Sequence, residues 1–168
     1  MAIGSAPAGS SGGFAVMNVT SELPRLGANR LYVPKLGINT SIVAAPVKAG
    51  ALVVPGATKV GRWTGSVGYG AKTGRAVIAG HTLSYGRYKG ALAPIARATK
   101  GTVIYVSDSA GRVYRFLVTV RAEMTKSALP ADVFYGRDSM KLELVTCGGV
   151  ILRGGHHKDN VVVTAVRF

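Results

Sequence analysis

The sequence holds a single cysteine, Cys147, among 168 residues. No intramolecular disulfide can form, so the fold must rest on its core, and a chain of this length buries one without covalent staples. Acidic residues are almost as scarce. Seven Asp and Glu stand against 21 Lys and Arg, for a net charge of +14. The seven (Glu22, Asp108, Glu123, Asp132, Asp138, Glu143, Asp159) are dispersed, so the clustered oxygen ligands of a calcium site are not expected. Of three histidines, His156 and His157 are adjacent and so point to opposite faces of any strand. Their spacing from Cys147 matches no usual zinc pattern, and no metal or other cofactor is expected. No apolar run approaches the roughly 18 residues of a membrane-spanning helix. The start, Met1-Ala2-Ile3-Gly4-Ser5, also lacks the basic and apolar regions of a signal peptide. The chain therefore reads either as cytoplasmic or as a soluble form from which a membrane anchor has been removed.

What is abundant is positive charge, glycine and β-branched residues. The basic residues are scattered singly, with no two adjacent. Nucleic-acid binders concentrate charge in a stripe or helix with aromatics nearby, so no nucleic-acid partner is expected. Diffuse basicity suits a protein working beside a polyanionic surface.

Residues 1–29 are rich in Gly, Ala and Ser and read as a flexible leader. From residue 30 to 168 the texture is that of one domain, built of short apolar runs separated by turns. Strands are expected at Leu31–Val33, Thr40–Val43, Val53–Val54, Ala76–Ala79, Thr102–Ser107, Val113–Val120, Leu142–Thr146 and Val161–Val166. Tyr114, Phe116, Val118 and Val120 alternate with Arg115, Leu117, Thr119 and Arg121, which predicts one buried and one wet face. Asp108 to Arg112 is the connecting turn. Helix is scarce, with short pieces expected at Ala91–Ala98 and from Pro130 to Phe134. Gly65-Ser66-Val67-Gly68-Tyr69-Gly70 lacks the strand, helix and Lys of a phosphate loop and reads as a flexible loop. Many short strands with few helices predict a mainly β fold closed into a barrel of about eight strands.

Two polar residues each follow an apolar strand. His81 follows Ala76-Val77-Ile78-Ala79-Gly80, and Cys147 follows Leu142-Glu143-Leu144-Val145-Thr146. Each is followed by a loop-like stretch, and functional groups favour such rims. Taken singly, each also fits a buried structural residue. The flanking sequence tips the balance. Leu144-Val145-Thr146-Cys147 resembles the L-x-T-C end of the sortase signature, with Glu143 where that pattern begins with Thr. Ala79-Gly80-His81 is similar to the sortase histidine segment. Val33-Pro34-Lys35-Leu36-Gly37, Leu52-Val53-Val54-Pro55 and Val60-Gly61-Arg62-Trp63 follow the family's order, with Arg62 where a second Trp is frequent. Cys147-Gly148-Gly149 and Asp159-Asn160-Val161-Val162-Val163 resemble the class F sortases of actinobacteria.

The resemblance covers about residues 30–168 and implies a sortase barrel and a cysteine transpeptidase of the Gram-positive cell surface. It implies cleavage of an LPXTG-type sorting signal through a thioacyl intermediate. The acyl group would pass to an amine of a wall precursor or a pilin lysine. By the same resemblance Cys147 is the nucleophile, His81 its acid/base partner and a downstream Arg the stabilising cation. Arg153 is the only Arg between Cys147 and the last strand and takes that role, with Lys158 a possible substitute. Thr146 and the Gly148 N–H are implied to hold the substrate carbonyl. A monomer is expected. The chemistry is consistent, since a thiolate attacks and needs a basic or cationic neighbour. An L,D-transpeptidase would place His and Cys in one S-H-G-x-x-C type motif, which is absent. A basic, non-catalytic barrel binding wall polymer or nucleic acid is the reading from another class.

Overall fold

The computed structural model describes residues 22–84, 88–154 and 157–168. Of the expected leader, residues 1–21 lie outside the described residues. Strand β1 (Arg30–Val33) ends at Pro34, where a 3-10 turn reverses the chain into β2 (Ile38–Ala45). A small ribbon of β3 (Val47–Lys48) and β4 (Ala51–Leu52) leads to β5 (Val60–Trp63) and β6 (Arg75–Ala79). A second ribbon, β7 (Leu83–Ser84) with β8 (Tyr88–Lys89), precedes a 3-10 helix at Ala93–Arg97. Then come β9 (Val103–Ser107), β10 (Val113–Thr125), the single helical turn α1 (Asp132–Tyr135), β11 (Lys141–Ile151) and β12 (His157–Arg167).

Eight of these strands close into a barrel in the order β1-β2-β5-β6-β11-β12-β10-β9. Closure leaves the barrel sheet itself without an open edge. The neighbours are antiparallel except β2 with β5 and β6 with β11. A parallel pair needs a long crossover, and residues 80–140 supply it between β6 and β11. Alternation decides which side chains fill the barrel. Ala76 and Ile78, Leu142 and Leu144, Val161 and Val163 point inward to Phe116, Ile104 and Val60. Leu92 and Ile95 join that core from the connection after β8. The outer face of the β6–β11–β12 segment carries Val77, Val145 and Val162, covered by Val133, Phe134 and Trp63. Trp63 meets Phe134 and Tyr135 edge-on, with ring centroids 5.5 and 5.4 Å apart.

Two expectations about faces change. Phe116 and Val118 are buried, but Val120 is more than half exposed. A bulge between Val118 and Val120 in the pairing with β12 adds a residue and reverses the alternation. Val53 and Val54 lie outside any strand, and the ribbon before them uses Ala51 and Leu52 instead. The 65–70 segment is a loop, and a packed one. Tyr69 is buried in the core, and the Val77 N–H donates to Ser66 Oγ at 3.0 Å. Arg62 donates to the Val67 carbonyl at 2.5 Å and lies over the Tyr69 ring, 5.1 Å from its centroid. Desolvation pushes the Tyr69 phenol up to about 12 against the pull of that cation.

Candidate active site

The parallel register of β6 and β11 ends with Val145 beside Ala79, and the Gly80 N–H donates to the Val145 carbonyl at 3.1 Å. Two residues further along each strand come His81 and Cys147. They lie on neighbouring chain segments, each two residues beyond the last paired position. By alternation along β11, Cys147 lies on the outer face in line with Val145, while His81 follows the end of β6. Both are half-buried. On the other side of Cys147, Asn160 of β12 is its register partner.

Thr146 and Gly148 lie on the inward side of the same strand. Thr146 is buried and its hydroxyl donates to the Gly80 carbonyl at 2.7 Å. That orientation turns it toward the interior, away from the face that carries Cys147. A Cβ at Gly148 would come within 2.4 Å of Val161 Cγ2, so glycine here fits the packing of β11 on β12. A residue that sequence reasoning did not single out joins them. Thr82 Oγ1 lies 2.8 Å from Thr146 Oγ1 and donates to the Cys147 carbonyl. Nothing in the sequence distinguished it from other threonines.

The two cations are placed differently. Arg153 is exposed in the turn beyond β11. Lys158 is exposed on β12, two residues from Asn160 and so on the same face as Cys147. His157 is on β12, and His156 lies outside the described residues.

At the opposite end of the β6–β11 pair the outer face holds charge. Arg75 is almost wholly buried, with Asp138 at 2.5 Å, Asp132 at 2.8 Å and Glu143 at 3.7 Å; Lys141 meets Asp138 at 2.8 Å. Burial opposes the Arg75 charge, but hydrogen bonds to Asp138 and Asp132 outweigh it and raise its pKa. Those from Lys141 and Arg75 hold the Asp138 carboxyl down at about 2. Glu143 goes the other way. Desolvation pushes it up to about 7, against the Thr164 hydroxyl that donates to it at 2.7 Å and against Arg75. Charge counting agrees, because two cations face three carboxylates and the cluster balances only with one proton added.

The sortase domain family matches residues 31–168. The chain belongs to the sortase family. Sortases are cysteine transpeptidases that act at the cell surface, and this chain has one cysteine, Cys147. Solved sortases share its fold. SrtA of Actinomyces oris is 22% identical with a TM-score of 0.63, over 89% of this chain and 87% of that one. Sortase A from Corynebacterium diphtheriae, a lid mutant, is 14% identical with a TM-score of 0.67, over 89% and 74%. Sortase C-1 from Actinomyces oris is 18% identical with a TM-score of 0.65, over 83% and 70%. No curated protein matches the chain. No helix among the described residues is long and apolar enough to cross a membrane.

Proposed function

We propose that this sortase cleaves an LPXTG-type sorting signal between Thr and Gly and passes the acyl group to an amine at the cell surface. The observation that supports the reading is that β6 and β11 pair in parallel up to Ala79 and Val145, each of which is followed two residues on by His81 or Cys147. The Cys147 thiolate attacks the Thr carbonyl, and the resulting oxyanion collapses as His81 protonates the departing Gly amine. A thioester on Cys147 remains, the Gly-headed peptide leaves, and an incoming amine is deprotonated by His81 as it displaces the sulfur. The Gly148 N–H is retained as a donor to the carbonyl, whereas Thr146, with its proton on Gly80, is given a scaffold role.

The oxyanion needs a cation, and the register supports Lys158 over the expected Arg153. Lys158 shares the face of Cys147, while Arg153 would have to reach back from the turn. A Lys here acts as a point charge without the planar fork of Arg. The Cys147-Gly148-Gly149 and Asp159-Asn160-Val161 segments support a class F assignment. The substrates are then LPXTG-bearing surface proteins, with a wall-precursor amine or a pilin lysine as acceptor. A non-catalytic polymer-binding barrel is not favoured by the family.

Mass spectrometry of an LPXTG peptide incubated with the protein and a panel of amines tests the reading. The expected products are a Gly-headed peptide, a Thr-linked adduct on Cys147 and an amine-ligated peptide, all absent from Cys147→Ala. Cleavage by Cys147→Ala, or no adduct from the wild type with any sorting signal, would overturn it.

A further inference from the structure

Backbone pairing between β6 and β11 stops just short of the site. The last ladder bond joins the Gly80 N–H to the Val145 carbonyl, so nothing in the sheet itself fixes residue 81 against residue 147. Side-chain hydroxyls continue the connection instead. Thr146 gives its proton to the Gly80 carbonyl at 2.7 Å, reaching back from the cysteine strand to the histidine segment. Thr82 reaches the other way, to the Cys147 carbonyl, with its oxygen 2.8 Å from Thr146 Oγ1. Two hydroxyl protons thus serve three contacts. With the Thr146 proton on Gly80, the single Thr82 proton is shared between the Cys147 carbonyl and Thr146 Oγ1.

The far side of the same segment is gripped as well. The Gly90 N–H donates to the Thr82 carbonyl at 2.7 Å. A Cβ at Gly90 would stand only 1.7 Å from the His81 carbonyl oxygen, so the 90 backbone is pressed against His81 with no room between. Residues 81 and 82 lie between that backbone and the Thr82–Thr146–Cys147 hydroxyl contacts. Misplacement of a catalytic group by about 1 Å costs on the order of 10²-fold in rate, so a tie at this point acts directly on turnover.

We propose that Thr82 is a positioning residue whose hydroxyl takes over from the β6–β11 ladder and sets the distance between His81 and Cys147. This rests on the reading of His81 and Cys147 as the reacting pair. Thr82 touches neither the thiol nor the scissile bond and acts only through the segments it joins. Three variants test it, each measured in two ways. Thr82→Val keeps the shape and removes the hydroxyl, Thr82→Ala removes it without a branched side chain, and Thr82→Ser keeps it. The first measurement is kcat and KM for an LPXTG peptide. Thr82→Val should lose roughly 10- to 100-fold in kcat with KM unchanged, and Thr82→Ser should stay within a few fold of wild type. The second needs no substrate: the rate of Cys147 alkylation by iodoacetamide against pH. The curve of Thr82→Val should move to higher pH as His81 loosens, and that of Thr82→Ser should coincide with wild type. A merely structural role would lower the Tm and leave the alkylation curve of the folded protein in place. That result, or equal losses in the Ser and Val variants, would overturn the proposal. If Thr82→Val does not fold, the Ala variant carries the same expectations. An inactive wild type would sink the proposed function alone, because the alkylation curves still decide the role of Thr82.

Discussion

The two ends of the β6–β11 pair are held by opposite means. At the end where β6 begins, Arg75 is buried among three carboxylates and capped by the segment that carries α1. At the end where it stops, neutral hydroxyls join Gly80, Thr82, Thr146 and the Cys147 carbonyl. About 20 Å of strand separates Arg75 from His81 at the usual rise per residue. Charge locks the fold where no chemistry occurs. The hydroxyl tie beside Cys147 is itself uncharged, and the charges on the adjoining strand are those of Lys158 and Asp159.

Removing the ion lock gives the largest expected change. Arg75→Met leaves Glu143 buried without its cation, and breaking a buried pair in this way costs about 3–5 kcal/mol. Urea unfolding at pH 8 should show that loss, while the folded fraction still forms the adduct on Cys147. An equal loss of turnover per folded molecule would show that the two ends are not independent. The complementary perturbation is at the cation proposed for the oxyanion. Lys158→Ala should lower kcat/KM by roughly 10²–10³ with the Tm unmoved, and Arg153→Ala much less. The reverse ranking would return the oxyanion to Arg153.

The smallest effect sharpens the contrast through pH. Glu143 stands at about 7 in the fold against an ordinary 4.5. An acid held above its unfolded value adds stability while protonated. Its contribution is complete below about 4.5 and is lost as pH rises through about 7. Glu143→Gln cannot titrate, so wild type should fall behind it by roughly 2–3 kcal/mol between pH 4.5 and 8. Parallel stability–pH curves for the two proteins would mean that Glu143 is ionised throughout.

Much of this was legible in the sequence because it depends on local pattern. Apolar runs at Ala76–Ala79 and Leu142–Thr146 announced two buried strands, and His81 and Cys147 were noticeable because each ends one. The bulge that exposes Val120 has no local signal, since the extra residue is defined only against β12. Thr82 was hidden for a related reason, and so was the ranking of Lys158, named only as a substitute for Arg153. Their places depend on register between segments 65 and 11 residues apart in sequence, by the numbering of Thr82 with Cys147 and of Lys158 with Cys147. Glu143 was visible as a departure from a motif, but its meeting with Arg75 follows from β6 and β11 being parallel neighbours, which pattern alone does not fix.

The strand order has a consequence for when the protein becomes active. β12 lies between β11 and β10, so the wall of the barrel has a gap until residues 157–167 are in place. Lys158 and Asn160 arrive on that same strand. A nascent chain emerging from the ribosome therefore carries Cys147 before it carries the strand that completes the proposed site. On the proposed reading, Cys147 and Lys158 come together only when the last strand docks, so cleavage waits for residues 157–167.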